Sequence, residues 1–378
     1  MYAQRREKIY NWMEEEGIAL AIFEDHECSR DQSVRYLSGQ PGDALLLLSS
    51  SRKALLIPWD INMAALYAAV DDIIPYNKFD LDPYLAACGA AAYFKVPYGG
   101  KIEIPPATPY PAFLKYVNQL SDYDVLCRTD GVKTIVDAAR AVKDQHEIDI
   151  YRSCSEKTNE IIGLLEQNVA DNTLKTETDV ALFIEAECRK RSCDGTGFTT
   201  LAAGPSRSFG IHCFPSFTGA PFAAKGLSIL DFGIVFQGYT SDVTLTFVRA
   251  PSKTQEKMLS LIEAAFNRAF SIVAEAFAPE NPSPALPARD LALAVDVLFK
   301  KHSVFMPHGL GHGIGLEAHE APYLRRTQTN TYVLERGNIF TIEPGLYDSR
   351  HGGCRLENDI FLGEQGAEIL TRSKIVRL

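Results

Sequence analysis

The run Pro307-His308-Gly309-Leu310-Gly311-His312-Gly313-Ile314-Gly315-Leu316-Glu317-Ala318-His319-Glu320 sets three of the chain's eight histidines within twelve residues and spaces them with four glycines. So much glycine excludes a stable helix interior. The i, i+4 pair His308 and His312 is therefore not a helical zinc site, and where an HExxH pattern starting at His319 needs its second histidine the chain has Tyr323. The glycine spacing also misses G-x-G-x-x-G, so no dinucleotide loop is read here. What remains is close-packed backbone presenting imidazoles at one place, which suits metal ligation or proton transfer.

Two further segments carry carboxylates out of apolar, β-type sequence. The runs Leu227-Ser228-Ile229-Leu230-Asp231 and Asp242-Val243-Thr244-Leu245-Thr246-Phe247 lie either side of Gln237-Gly238, which reads as a hairpin turn. With those two residues as the loop, Gly233 falls opposite Asp242, and Asp231 becomes its diagonal neighbour on the same sheet face, about 7 to 8 Å away. An acidic residue flanked by core needs a cation. The second segment is Ile339-Phe340-Thr341-Ile342-Glu343-Pro344-Gly345, followed by Cys354-Arg355-Leu356-Glu357-Asn358-Asp359-Ile360. Strand alternation there sets Arg355 and Glu357 on one face and Leu356 on the other. Taken singly, Glu343 or Glu357 is more simply a strand-end surface residue; beside the aspartate hairpin and the histidines, a shared site accounts for all of them.

In that order, Asp231, Asp242, His312, Glu343 and Glu357 resemble the five-ligand, two-metal site of the pita-bread metallohydrolases, the family of methionine aminopeptidase, aminopeptidase P, prolidase and creatinase. The eleven-residue step between the aspartates, the Gly238-Tyr239-Thr240-Ser241-Asp242 turn, the HGLGH run at 308–312, Glu343-Pro344-Gly345 and Arg355-Leu356-Glu357 all match in sequence order. Tyr36-Leu37-Ser38-Gly39 is similar to a segment in the amino-terminal domain of aminopeptidase P, prolidase and creatinase, a domain that simple methionine aminopeptidases lack. The resemblance implies an α/β (α+β) protein of two domains. These would be a creatinase-like amino-terminal α/β domain, 1–132, and a pita-bread catalytic domain, 133–378, whose antiparallel sheet is covered by helices.

The resemblance also implies a reaction. Two divalent ions, manganese first with cobalt, zinc or iron as alternatives, would be held by the five ligands, and a hydroxide bridging them would attack a peptide carbonyl. Four carboxylates set against two divalent ions, the hydroxide and Arg355 leave the site near neutrality. Glu343 would shuttle a proton to the leaving nitrogen, His212 and His319 would donate hydrogen bonds to the scissile carbonyl or the oxyanion, and His308 would line the substrate pocket. His212 stands nineteen residues before Asp231, where the family has a substrate-contacting histidine, although the surrounding loop differs. The expected substrate is a short peptide with proline at the second position. The expected enzyme is a homodimeric dimetal exopeptidase, an Xaa-Pro aminopeptidase or Xaa-Pro dipeptidase (prolidase).

The rest of the chain fits a large protein without nucleic-acid or membrane partners. Its 378 residues are 46% hydrophobic with a net charge of −10, which permits a large core and argues against a nucleic-acid surface. The start has no apolar signal region, and the longest apolar run, Met63 to Val70, is far short of the ~20 residues that span a bilayer. A soluble cytoplasmic protein is expected. Eight cysteines without a CxxC pair read as reduced thiols. Residues 5 to 16 read as a helix ending at Gly17 and 18 to 23 as a buried strand. Residues 135 to 167, 177 to 191 (with Thr176 as N-cap), 253 to 278 and 289 to 301 read as helices, the last two separated by a Pro-rich turn at 279 to 287.

Two departures from the family pattern leave every ligand in place: Leu245 stands where the family often has arginine, and Ala318 replaces the usual β-branched residue. The alternatives are a non-peptidase hydrolase or lyase on the same site, and a metal-free pseudo-peptidase that binds peptides. Some prolidases place an arginine immediately after the His-Glu-x-Pro run to hold the substrate carboxylate. Here that position is Tyr323, with Arg325 and Arg326 downstream, so the expectation is that Xaa-Pro-Xaa peptides are cleaved at least as well as Xaa-Pro dipeptides.

Overall fold

The computed structural model describes residues 1–281 and 284–378; part of the expected 279–287 turn lies outside the described residues. Two compact units divide between Arg140 and Ala141. The sequence boundary near 132 falls eight residues earlier because helix Val132–Ala141 is tied to the first unit: the Val132 N–H donates to the buried Glu103 carboxylate at 3.1 Å.

The first unit is built on a six-stranded mixed sheet. Its strand order is Asp72–Ile73, Lys53–Pro58, Ala44–Ser49, Ile18–Asp25, Lys101–Glu103, Asp124–Leu126. The central strand Ala44–Ser49 is apolar at almost every position and buried throughout, as a strand covered on both faces must be. Helix Tyr2–Glu16 ends where expected, at Gly17, whose positive φ of 68° closes the last turn.

The second unit places its β-structure between two helix layers, each with its own core. On one side, helices Gln145–Ala170 and Glu177–Lys190 bury Ile161, Leu165, Val180 and Ile184 against Leu230, Phe232, Val243 and Leu245. On the other, Lys253–Ala276 and Ala288–Lys301 bury Leu259, Ile262, Leu291 and Phe299 against Phe340, Ile342, Ile360 and Leu362. Between the layers lie a four-stranded sheet (Ile375–Arg377, Val243–Arg249, Gly226–Phe232, Leu201–Ala203) and a five-stranded one (Glu320–Leu324, Gly311–Gly313, Ile339–Ile342, Asn358–Gly363, Gly366–Ile369). A bridge between Thr244 and Glu357 joins them.

The helix expected over 135 to 167 is two helices. Residues 142–144 leave it to pair with the 337–338 backbone, where Lys143 N–H donates to Gly337 O at 2.9 Å. Asp144 then opens the second helix through a capping box with Glu147. Thr176 caps its helix as expected, reciprocally with Asp179. Among the described residues no helix is long and apolar enough to cross a membrane, and the eight cysteines are free.

Gly311 shows why glycine alternates through the histidine stretch. A Cβ there would sit 1.9 Å from the carbonyl oxygen of Thr341 on the neighbouring strand, backbone against backbone with no flexible group to yield. Gly311→Ala is expected to destabilise the protein by at least the ~1–3 kcal/mol typical of overpacking, read as a lowered urea midpoint at unchanged slope. A variant as stable as the parent would show that the two strands can separate without cost.

Candidate metal centre

The hairpin turns at Gln237-Gly238, both with positive φ, as a two-residue turn of this hand requires. Val235 pairs with Thr240 and Phe232 with Val243, so the register runs continuously past Gly233 and Asp242, and Asp231 faces Thr244. At Gly233 a Cβ would meet the Ser241 carbonyl oxygen at 1.9 Å, so this close crossing also needs glycine. Asp242 is held from behind, its N–H donating to Asp359 at 3.3 Å.

Strand Gly311–Gly313 brings His312 to the same place. Its Nδ1 lies 3.1 Å from the Gly313 carbonyl oxygen, which accepts only if Nδ1 carries the proton; Nε2 is then a free lone pair. That Nε2 lies 3.7 Å from Asp242 Oδ2 and 3.6 Å from Glu343 Oε1. Glu343 emerges at the end of strand Ile339–Ile342, and Glu357 sits just before strand Asn358–Gly363.

Three overlapping groups follow: Asp231 with Asp242 and Glu357; His312 with Glu343 and Glu357; and Asp242 with His312 and His319. In each, one ligand atom per residue lies within 4.8 Å of the others. The five residues read as ligands from sequence and the three histidines His212, His308 and His319 all line one cavity of about 480 Å³. His319 stands closer to the acidic cluster than a purely substrate-facing group needs to, its ring centroid 4.1 Å from that of His312.

Electrostatics sets this cluster apart from a surface acid patch. Burial pushes Asp242 well above the usual carboxylate range, and the charges of Glu357, Asp231, Asp359 and Glu343 push it further. Burial and then Glu357 raise Glu343 in the same direction, while burial and Asp231 push Glu357 up to about 7. Arg355 is the counter-charge: its guanidinium bonds Asp231 at 2.5 Å, Thr244 Oγ1 at 2.8 Å and Tyr347 Oη at 2.7 Å, and Thr244 donates in turn to Glu357 at 2.6 Å. One cation against four carboxylates leaves the cluster short of positive charge. Oδ1 of Asp231 and Oδ1 of Asp242 are buried with no hydrogen-bond partner, which is costly for a carboxylate unless a cation takes that place. The donor set thus fits divalent metal.

Sequence reading missed the supporting residues Thr244, Tyr347 and Asp359. Asp359 had a signal, since it stands two residues beyond Glu357, so shares its strand face, and leads into the apolar Ile360-Phe361-Leu362. Tyr347 had none: it reaches the site only because strands Gly345–Asp348 and Gly352–Arg355 fold back on each other, setting its hydroxyl 3.1 Å from His308 Nε2.

A two-unit chain whose second unit gathers four carboxylates and an imidazole in one cavity belongs to the metal-dependent hydrolase class. The model of metallopeptidase family M24 matches residues 149–364, more than half of the chain, and the creatinase/prolidase amino-terminal domain matches residues 5–142. The chain belongs to metallopeptidase family M24. It is 25% identical over 377 residues to an Xaa-Pro dipeptidase of Pyrococcus horikoshii, covering 98% of this chain and 97% of that one. The X-Pro aminopeptidase structure from Thermotoga maritima superposes with a TM-score of 0.82 at 25% identity, covering 98% of this chain and 99% of that one. The match to YkvY of Bacillus subtilis, 31% identical over 237 residues, spans 62% of this chain and 61% of that one. These likenesses support the two-domain pita-bread expectation, with its antiparallel sheets covered by helices.

The raised carboxylates have a consequence for stability. Each binds its proton more tightly folded than unfolded, so without metal the folded state holds the extra protons and stability falls as pH rises from the ordinary carboxylate range through about 7 for Glu357. A divalent cation replaces those protons and binds best where they are absent. Manganese added to chelator-treated protein is therefore expected to raise the melting temperature more at pH 8 than at pH 5.5. Equal shifts at the two pH values in a fluorescence melt would disconnect the cluster from metal.

Proposed function

We propose that this chain is an Xaa-Pro exopeptidase using two divalent ions, held by Asp231, Asp242, His312, Glu343 and Glu357. The observation that carries the reading is the set of overlapping ligand triads in a single cavity, in which Glu357, Asp242 and His312 each belong to two. A residue common to two groups is what a bridging carboxylate requires. Manganese, cobalt, zinc and iron all suit oxygen ligands with one imidazole, and manganese is our first choice.

When bound, the ions would acidify a water and polarise the scissile carbonyl. The chain's own groups do the rest. Glu343, whose carboxylate lines the cavity 3.6 Å from His312 Nε2, takes a proton from the attacking water and delivers it to the leaving nitrogen. His319 and His212, which both line the cavity, donate hydrogen bonds to the carbonyl oxygen as it gains charge. Burial lowers His308 to about 4, so it lines the pocket as a neutral group, its Nδ1 2.8 Å from the Gly309 carbonyl oxygen. Preference for proline, and whether dipeptides or longer chains are cut, is carried over from relatives named for Xaa-Pro cleavage, of which both an aminopeptidase and dipeptidases are similar to this chain. A homodimer and a cytoplasmic location belong to the same proposal.

Two predictions test the reading. Purified protein saturated with manganese should hold two ions per chain by elemental analysis, and Glu357→Ala should lose both; retention of one full ion by that variant would assign the bridge elsewhere. Glu343→Gln should lower kcat on Xaa-Pro substrates by about 10²- to 10⁴-fold, the span attributed to general acid–base catalysis. Near-normal turnover at full occupancy would move the proton shuttle to another residue, and no hydrolysis of any Xaa-Pro peptide by the loaded parent would favour a non-peptidase role for the site.

A further inference from the structure

Behind the histidine stretch lies a buried ion pair that the proposed chemistry does not use. Lys143, whose side chain is fully shielded from solvent, sets its Nζ 2.7 Å from Glu320 Oε1. Glu320 follows His319 and opens strand Glu320–Leu324, and the two neighbours face different surroundings: the exposed His319 lines the cavity, while Glu320 is buried. Among the described residues neither Lys143 nor Glu320 lines the cavity, so whatever they do for the reaction passes through another group. A buried ion pair adds little stability over apolar residues of the same volume, and what it can add is a defined position.

Glu320 also organises the loop that carries His319. Strand Gly311–Gly313 pairs His312 with Tyr323 and Gly313 with Glu320, so residues 314–319 close that hairpin around the carboxylate. Gly315 leaves room for it: a Cβ there would collide with Glu320 Oε1, the oxygen that Lys143 holds. The Gly315 N–H donates to Glu317 O at 3.1 Å, and the Glu317 N–H to Glu320 Oε2 at 3.4 Å. The Gly315 carbonyl oxygen accepts from the Thr240 N–H at 2.7 Å, which ties the loop to the hairpin two residues before Asp242. Lys143 is fixed from its own side, its N–H donating to Gly337 O at 2.9 Å and Asp144 capping the helix that follows. The break at 142–144 thus delivers an ammonium to the His319 loop.

We propose that Lys143 and Glu320 are positioning residues for His319: the pair holds the 314–319 loop so that this imidazole, its ring centroid 4.1 Å from that of His312, meets the scissile carbonyl in one geometry. This rests on the Xaa-Pro peptidase reading above. A donor to a developing oxyanion is effective only when its place is fixed before charge builds, and a loop gains that fixity from the residues that support it. Apolar packing of the same volume tolerates more than one arrangement, whereas the carboxylate within this loop is drawn to one ammonium.

The test compares kcat and KM for Ala-Pro and Ala-Pro-Ala on manganese-loaded parent, Lys143→Met and the charge-balanced Lys143→Met/Glu320→Leu, each also in a His319→Ala background. Lys143→Met should lower kcat by roughly 10- to 100-fold, the scale of a small misplacement at the reacting centre, with KM and metal content near the parent's. The double variant should recover the parent's melting temperature but not its kcat, and it carries the same comparisons if the unpaired carboxylate keeps Lys143→Met from folding. His319→Ala should itself be slower by about 10²- to 10³-fold, as for loss of one oxyanion donor, and removing Lys143 in that background should cost nothing more, because it acts through that ring. In chelated protein the His319 ring resonance, identified by its absence from His319→Ala, should be single in the parent and shifted or split in the Lys143 variants. A double variant with the parent's kcat, a full further loss in the His319→Ala background or an unmoved resonance makes the pair structural only and overturns the inference while leaving Xaa-Pro cleavage intact. A parent that cleaves neither peptide overturns the peptidase reading and this inference with it.

Discussion

Four carboxylates buried around one cavity are the constraint to which the catalytic unit answers. Burial first, and then the repulsion of like charges this close, push Asp242, Glu343 and Glu357 up, with Glu357 and Asp231 recurring among the neighbours that add to it. Arg355 offsets part of the repulsion, and its placement is itself elaborate. It is buried, bonded to Asp231 directly and linked to Glu357 through the Thr244 hydroxyl. Removing one partner from such a network leaves a buried charge alone, so the network stands or fails as a unit.

The fold serves this cluster by making the backbone around it unable to drift. Asp231 and Asp242 belong to one hairpin, His312 and Glu343 to adjacent strands of another sheet, and the Thr244–Glu357 bridge pins the two together. Each sheet is backed by its own helix pair and apolar core, so the carboxylates meet in the layer between two packed interiors. Glycine enters where strands cross too closely for any Cβ, at Gly233 opposite Asp242 and at Gly311 next to His312. Residue choice at the site is thus set as much by backbone approach as by ligand chemistry.

Much of this was legible in sequence because its signals were local. The Gln237-Gly238 turn fixes the hairpin register by itself, and a fixed register determines which aspartates face one another. Helix caps at Thr176 and Gly17 were readable for the same reason. What escaped depended on contacts distant in the chain. The break at 142–144 exists because residues near 337 pair there, and a run of helix-favouring residues carries no trace of that pairing. Tyr347 reaches His308, and Asp359 the Asp242 N–H, only through strands that lie outside the hairpin.

The histidines complete the electrostatic argument by what they do not contribute. An imidazole beside several carboxylates would ordinarily gain a proton and become their counter-ion. Here burial dominates, lowering His312 to about 3 and His308 to about 4 and pulling His319 down as well. Neutral imidazoles can ligate through a lone pair or donate one N–H, but they cannot balance the acids, so the positive charge must come from elsewhere. In the cavity wall part of it comes from Arg355, which is committed to Asp231 directly and to Glu357 through Thr244, and what the carboxylates still lack would have to come from a bound cation.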